Sequence, residues 1–446
     1  MREKKIPHGR SFVIKFLKSI MNITEVTMVA KDLIKKLVAS HLEIPSRLMD
    51  VVAGYVMSLM LESPKHTQTF ASAVTDRNQT QYSRLLTDHG DLAKNSLADL
   101  GQTTGRAIAK PGRELLVVGA PWTIAIIIDA TLHPRSSLHV QNAQRFNHGQ
   151  GFVVGHQWTN IVISINGRII PLPPIPFWSK NECKRRGVTY ETEHERLKSY
   201  LEQLNLSAVA GSYEEDEVVV LTDSGYDDKK LQNTILSRGW DFLTSLKSSR
   251  GSSSTNQTHG YRRVDDLFWT MRKHAPWQTV RVEVDGGKKR RKFRARKLVG
   301  HIKGITQEVA IVCSEKSGKT GKRYFACSRS GIAVGAMVRA YSKRWEVELF
   351  HRVTKHQLGL LDAGVNDFDT LTAHIHWVYC AYILLHELEV PSAKTLTDKQ
   401  RRLTILANNG PWEDRLRSIV AAKTQCGGRE GQQILMGMAL RQATTL

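Results

Sequence analysis

Three carboxylates occupy positions where a folded chain seldom leaves a charge uncompensated. Asp129 closes the run IAIIIDA, Asp223 closes VVVLTDSGY, and Glu348 lies within YSKRWEVELFHRVTK, residues 341–355. A carboxylate at the end of a strand buried on both faces is costly unless a cation or hydrogen bonds compensate it. Three acids with no partnered His or Cys form the oxygen donor set of hard divalent ions, Mg²⁺ or Mn²⁺. A pair of such ions, about 4 Å apart, activates a water or hydroxyl and stabilises the leaving oxygen of a phosphodiester. Arg and Lys around them would hold the phosphates. Singly, each Asp reads equally well as a turn or cap residue; three acids meeting by accident is the weaker explanation.

The third acid has a competitor two residues away, Glu346. If the stretch is one helix, each residue advances roughly 100°. Measured from Tyr341, Arg344 then falls about 60° away, Glu348 and Arg352 about 20°, and Lys355 about 40°. Those side chains share a face, while Glu346 falls about 140° away and is expected to face solvent. The bland alternative for that face is an ion-pair stripe, each exposed pair contributing under about 1 kcal/mol.

The elements that must position these residues follow from hydrophobic period. WTIAIIIDATLH is a continuous β-branched run, as a central strand buried on both faces should be. GFVVGHQWTNIVISI and GRIIPLP follow, with Asn166-Gly167 between them as a hairpin turn. TEHERLKSYLEQLNL reads as a helix, EVVVLTDSGYD as a buried strand, DDKKLQNTILSRG as a helix and WDFLTSLKS as a strand. The order β-β-β-α-β-α-β is that of a ribonuclease-H-like mixed sheet. In that order the first and fourth strands are neighbours, so Asp129 and Asp223 meet at one edge of the core. A later helix packed on the sheet brings Glu348 to them.

An α/β chain divided five ways is therefore expected. Residues 1–111 form a helical region carrying the stripes FVIKFLKSIM and DVVAGYVMSLML, with a DNA-binding role by charge and analogy. Residues 112–248 form the first part of the core. Residues 249–334 are a β-rich insertion without a helical stripe, opened by a polar loop, RGSSSTNQTHG. Residues 335–360 hold the helix with the third acid, and 361–446 a helical C-terminal region. In that last region Leu371, Ile375, Val378, Tyr382 and Leu385 form a packing stripe. Within the insertion, QTVRVEVDGGKKRRKFRARKL alternates around a Gly-Gly turn and suggests a hairpin. It carries eight basic residues, Lys288, Lys289, Arg290, Arg291, Lys292, Arg294, Arg296 and Lys297, which fit a DNA-gripping arm or a solvated charged face.

The 446 residues carry 64 Lys and Arg against 42 Asp and Glu, a net charge of +22. That excess points to a polyanion, nucleic acid foremost. No apolar run reaches the 18 or so residues of a spanning helix, and the N-terminus MREKKIPHGR has no signal-peptide core, so no membrane partner is expected. The five cysteines, Cys183, Cys313, Cys327, Cys380 and Cys426, are scattered and never spaced C-x-x-C. They read as packing residues of a cytoplasmic protein rather than a disulfide or zinc framework. His133, His139, His148 and His156 match no zinc spacing and read as strand-surface residues.

Tyr341, Arg344, Glu348 and Lys355 match Y-x₂-R-x₃-E-x₆-K, and over residues 112 to 360 the chain resembles the insertion-sequence DDE transposases of the YREK-signature group (the insertion sequence four superfamily). Asp129-Ala130-Thr131 resembles the family's first-acid D-x-T motif and Asp223 in TDSGY its second. Relatives often have a basic residue where this chain has Ser224. The resemblance implies a prokaryotic, nucleoid-associated enzyme that cuts an element at its inverted repeats and joins the freed 3′-hydroxyls to target DNA. It implies Asp129, Asp223 and Glu348 as ligands of a two-ion Mg²⁺ or Mn²⁺ site. Tyr341, Arg344 and Lys355 are implied as phosphate contacts, with Arg352 on the same face. Synapsis of two double-stranded ends implies a homodimer on DNA. In hairpin-forming relatives an aromatic of the insertion stacks on a flipped base; Trp269 and Trp277 are candidates, and core tryptophans are the plainer reading. Two rivals stand beside transposition: a catalytically inactive DNA-binding relic, and a nuclease of the same fold that cuts without joining.

Overall fold

The computed structural model describes residues 30–407, apart from 150, 256–259, 272, 274, 285–288, 317–320 and 391–392. The apolar run becomes β1, Ile124–Pro134, and its first five residues have no solvent exposure. Burial on both faces is what a continuous β-branched run requires. Alternate residues feed two different cores. Ile124, Ile126 and Ile128 pack with one cluster, and Ala125 and Ile127 with the other.

β1 pairs antiparallel with β3, Gly151–Ile165, and parallel with β6, Val218–Thr222. β3 carries β2, Gln144–His148, and turns through Asn166 and Gly167 into β4, Arg168–Pro171. Both turn residues have positive φ, 51° and 71°, the conformation an Asn-Gly hairpin favours. β5, Ile175–Pro176, also pairs with β3. Beyond β6 lies β7, Asp241–Leu246, again parallel. The order β2-β3-β1-β6-β7 is the ribonuclease-H-like sheet, with β2 an addition to the expected elements.

The insertion extends this sheet. β8, Gly251–Ser254; β9, Arg262–Arg263; β10, Gln278–Val284; β11, Lys289–Ile302; β12, Val309–Lys316; and β13, Lys322–Cys327 all belong to it. β13 pairs antiparallel with β7, and β12, β11, β8 and β9 follow outward, with β10 also on β11. Two segments of the insertion differ from expectation. The polar stretch RGSSSTNQTHG is not all loop: its Gly251–Ser254 is a strand, paired by β11. Backbone pairing outweighs the weak β preference of serine. A short helix, Val264–Thr270, also forms, because Val264, Leu267 and Phe268 recur at helical spacing and bury together.

Helices cover both faces. One side holds α1, Ala30–His41; α2, Ser46–Met60; α3, Gln68–Thr75; α4, Gln79–Asp88; and α5, Gly90–Ala109. α6, Lys180–Arg186, is tied through Arg186 to Asp369, and the other side holds α7, Glu193–Gln203; α8, Lys229–Ser237; and α9, Val264–Thr270. α7 opens with a capping box, Thr192 against Glu195. The stripe FVIKFLKSIM lies outside the described residues, while DVVAGYVMSLML is α2, buried from Val51 to Met60. The C-terminal part supplies α10, Val334–Ser342; α11, Trp345–His356; and α12, Phe368–Glu387.

α12 is apolar all round and accordingly buried all round. From Phe368 to Leu385 only Asp369 and Thr372 escape burial. It packs against α2, α4 and α5 on one side and α11 on the other, so the expected stripe is packing surface. None of the described helices is long and apolar enough to cross a membrane. Cys183, Cys313, Cys327 and Cys380 are buried free thiols, as packing residues should be, and Cys426 lies outside the described residues.

The closeness of β1 and β3 can be tested at glycine. A Cβ on Gly155 would stand 2.1 Å from the His133 carbonyl oxygen, whereas one on Gly151 would meet nothing within 4 Å. Because the obstacle is backbone, Gly155→Ala is expected to cost about 3 kcal/mol in urea unfolding, against about 0.5 kcal/mol or less for Gly151→Ala on the same strand. Equal costs would contradict the strand approach.

Candidate active site

Strand parity brings the acids to one place. Ala125 and Ile127 of β1, and Val219 and Leu221 of β6, all face the core shared with α11 and α12. Asp129 and Asp223 continue those odd-numbered rows. β1 and β6 pair with a constant offset, Ile127 opposite Leu221 (221 − 127 = 94). The two aspartates have the same separation (223 − 129 = 94), so both lie two residues past that pair at one end of the sheet, Asp223 just beyond the end of β6 and close enough to act on Asp129 through its charge. Asp223 keeps extended backbone, φ −86° and ψ −176°, and its Oδ1 accepts the Gly225 N–H at 2.7 Å.

The third acid arrives on α11, which packs its Val347 and Phe350 into that same core. Residues 341–355 are not one helix. α10 ends at Ser342 and α11 starts at Trp345, but Lys343 and Arg344 stay close to helical angles (φ −62°, ψ −25°; φ −53°, ψ −28°). The shared face therefore survives the break. Arg344 sits at that junction with two acids in reach. Its Nη2 lies 2.6 Å from Glu348 Oε1 and its Nη1 3.6 Å from Asp129 Oδ2. Glu346 departs from expectation: it accepts the Ser164 hydroxyl at 2.7 Å and meets Lys343 at 3.3 Å, with a side chain 21% exposed. A helical wheel ignores the sheet, and β3 covers the flank that a lone helix would give to water.

The electrostatics are those of crowded like charges. Burial pushes the Asp129 carboxyl up to about 6; Arg344 opposes the rise, while Asp223 and Glu348 add to it. Lys355 is drawn down by burial, with Asp129 pulling the other way. Burial also raises the Tyr341 phenol, whose ring lies 4.2 Å from that of Phe325. Arg352, on the same wheel face, is exposed. The donor chemistry suits a hard cation: three carboxylates near one another, Asp129 held well above its ordinary pKa with the charges of Asp223 and Glu348 adding to the rise. As they stand, no three His, Cys, Asp or Glu side chains among the described residues converge closely enough to hold a metal ion. Arg344 supplies the positive charge between Asp129 and Glu348.

Beside these acids opens a cavity of about 480 Å³. Glu348, Arg344 and Tyr341 line one wall, and Arg291, Phe293 and Arg323 another. The basic run does not act as one arm, because alternate residues of β11 point to opposite faces. Arg291 reaches this cavity, and Lys292 is exposed. Arg290 pairs with Glu283 at 3.0 Å, and Arg294 lies over the Trp277 ring at 5.0 Å. Two members belong to the core instead. Arg296 is buried, donates to the Phe268 carbonyl at 2.7 Å and covers Trp277 at 4.7 Å. Lys297 donates to the carbonyls of Ile332 and Ser330 at 2.7 and 3.1 Å. Lys288 lies outside the described residues, and Lys289 opens β11. Trp277 is half-buried under those arginines, whereas Trp269, expected in the core, is 65% exposed. His133 and His156, expected on a strand surface, are buried beside Trp158, and burial drives their pKa values down to about 3 and about 4.

Two functional neighbours are absent from the sequence reading. His351 Nδ1 lies 3.8 Å from Asp129 Oδ2. The wheel carries the signal, placing His351 about 80° from Tyr341, close to Arg344. Glu193, on the opposite face, accepts from Tyr226 at 2.6 Å, Gln157 at 2.7 Å and Thr159 at 2.7 Å. Tyr226 belongs to the turn that follows Asp223, so Glu193 braces the loop of the second acid. Its donors come from scattered segments, and nothing in local spacing reveals them.

Asp129 has a measurable consequence. A carboxyl that titrates higher folded than unfolded binds protons more tightly in the native state, so stability falls as pH rises from about 4 through about 6. A rise from 3.8 to about 6 corresponds to a cost of up to about 3 kcal/mol at pH 7. In metal-free protein Asp129→Asn is therefore expected to be the more stable form at pH 7, with the gap closing by pH 4. Chemical denaturation at both values decides it; a gap independent of pH would mean that Asp129 is not charged in a buried site.

Comparison with curated proteins gives no match for the chain. The family model described as the transposase DDE domain matches residues 191–384, a span that contains Asp223, Glu348, His351 and Lys355, but not Asp129. With the second and third acids inside the matched span and Asp129 at the same end of the sheet as Asp223, the match supports a transposase of the DDE class.

Proposed function

We propose that this chain catalyses metal-dependent cut-and-paste transposition of DNA, in the manner of the YREK-signature insertion-sequence transposases. Asp129, Asp223 and Glu348 are the ligands of Mg²⁺ or Mn²⁺ in a two-ion site. Those ions, when bound, activate a water or a 3′-hydroxyl and stabilise the leaving phosphodiester oxygen. Glu348 and Asp129 exchange their contact with Arg344 for that role, which frees the guanidinium to hold a phosphate. Tyr341, Arg352, Lys355 and Arg291 take neighbouring phosphates of the duplex, and binding falls steeply with salt. Two copies act together on the paired inverted-repeat ends, in the nucleoid of a prokaryotic cell.

What supports this reading is that three carboxylates, from β1, the residue after β6 and α11, lie toward one face of the sheet near enough for Asp223 and Glu348 to act on Asp129 through their charges, with a basic cavity beside the third. The experiment compares wild type, Glu348→Gln and Glu346→Ala on DNA bearing the gene's flanking ends, with Mg²⁺. Glu348→Gln is expected to lose cutting by roughly 10³-fold or more while still binding the DNA. Glu346→Ala is expected to keep cutting and to lose only about 1 kcal/mol of stability with its Ser164 bond. Equal cutting by all three would remove Glu348 from the site. Cutting without joined products would favour the nuclease, and binding without cutting in the wild type the inactive relic.

A further inference from the structure

Behind Asp129 runs a buried hydrogen-bonded chain assembled from three distant elements. The Tyr379 hydroxyl of α12 donates to Asn160 Oδ1 on β3 at 2.7 Å. The Asn160 amide nitrogen lies 2.7 Å from His351 Nε2 on α11. His351 then turns Nδ1 toward Asp129 Oδ2 at 3.8 Å. Asn160, His351 and Tyr379 are 1%, 8% and 0% exposed. Asn160 stands directly opposite Asp129 in the β1–β3 pairing, so the pair share a face of the sheet.

The chain has a direction. Since Tyr379 donates to the Asn160 oxygen, the amide presents N–H to His351, and Nε2 must accept it. A neutral imidazole has one ring proton, which this bond confines to Nδ1, the nitrogen that faces Asp129. The reverse orientation of the amide would move that proton to Nε2 and aim a lone pair at a carboxylate. Arg344 Nη1 meets the same oxygen, Oδ2, at 3.6 Å. One oxygen of Asp129 is thus addressed by two N–H groups held by other parts of the fold.

We propose that His351 is a positioning residue for Asp129, with its tautomer set by Asn160 and Tyr379, and that it holds the carboxylate in the orientation a divalent ion requires. This rests on the reading of Asp129 as a metal ligand. A buried donor behind a ligand carboxylate tunes metal affinity, and losing one lowers it by about 10- to 100-fold. At 3.8 Å the imidazole nitrogen stands just beyond hydrogen-bond length from the carboxylate, and such contacts tighten once a site is complete.

The test measures Mn²⁺ binding to the full-length, DNA-free protein by calorimetry, with thermal unfolding of each variant alongside. His351→Leu fills the space without an N–H, His351→Asn keeps a donor near the Nδ1 position, and Tyr379→Phe removes only the hydroxyl that starts the chain. The expected result is a loss of about 10-fold or more in Mn²⁺ affinity for His351→Leu, recovery to within about 3-fold of wild type for His351→Asn, and a smaller loss for Tyr379→Phe. Tyr379→Phe carries the test if His351→Leu does not fold. Wild-type affinity in His351→Leu, or a His351→Asn no better than His351→Leu, would overturn the proposal while leaving the metal site standing. Mn²⁺ binding that is also unchanged in Asp129→Asn would instead overturn the assignment of Asp129 as a ligand, and this proposal with it.

Discussion

Asp129 and Asp223 come to the same end of the sheet because β1 and β6 pair in parallel with an offset of 94 residues, the separation of the two acids in sequence. A parallel pair of strands cannot be joined by a tight turn, and here the crossover contains β2 to β5, α6 and α7. The chain therefore closes a long loop to put two like charges at the end of a sheet buried on both faces. That arrangement opposes folding unless positive charge is supplied, which is why the next elements matter. α11 adds a third carboxylate, yet Arg344 at its leading end reaches Glu348 and Asp129 together. The guanidinium is the internal counter-charge that lets the acids coexist in the free protein.

The insertion takes its place from the same sheet. Because β13 pairs with β7, the β-rich segment is rigidly continuous with the strands that carry the acids. Period-two alternation then sorts its basic run. Arg291 is carried to the cavity beside Glu348, while Arg296 serves the opposite face by capping the Phe268 carbonyl. A run of eight like charges is legible as one feature in the sequence, but a strand can offer only alternate members of it to one surface.

Much of the site is legible in the sequence itself. The parity of 125, 127 and 129 and of 219, 221 and 223, the β-branched runs and the Tyr341–Lys355 spacing all depend on local pattern, and all lead to one face. The failures share a cause as well. A helix considered by itself sends Glu346 to solvent, and Ser164 of β3 overrides that geometry. His133 reads as a surface residue because nothing near it in sequence announces Trp158, and His156 because nothing near it announces Phe368, the rings that cover them. Gly251–Ser254 is a strand because β11 offers it a partner. Each of these three is a long-range contact that outweighs a local preference, whereas the helix Val264–Thr270 follows from local spacing.

α12 connects the helical layer to the acids. Its His374 accepts the Tyr55 hydroxyl of α2 at 2.8 Å on Nδ1 and donates from Nε2 to the Gly359 carbonyl at 2.9 Å. Little more than a turn later Tyr379 donates to Asn160, beside the ring of Phe350 on α11. These polar groups are buried and paired, so none can move without breaking a bond that has no water to replace it. α12 is consequently held to α2 at one turn and to the strand opposite Asp129 at the next. A displacement of α2 that carries α12 with it reaches Asn160, and through Asn160 the imidazole that faces the first acid.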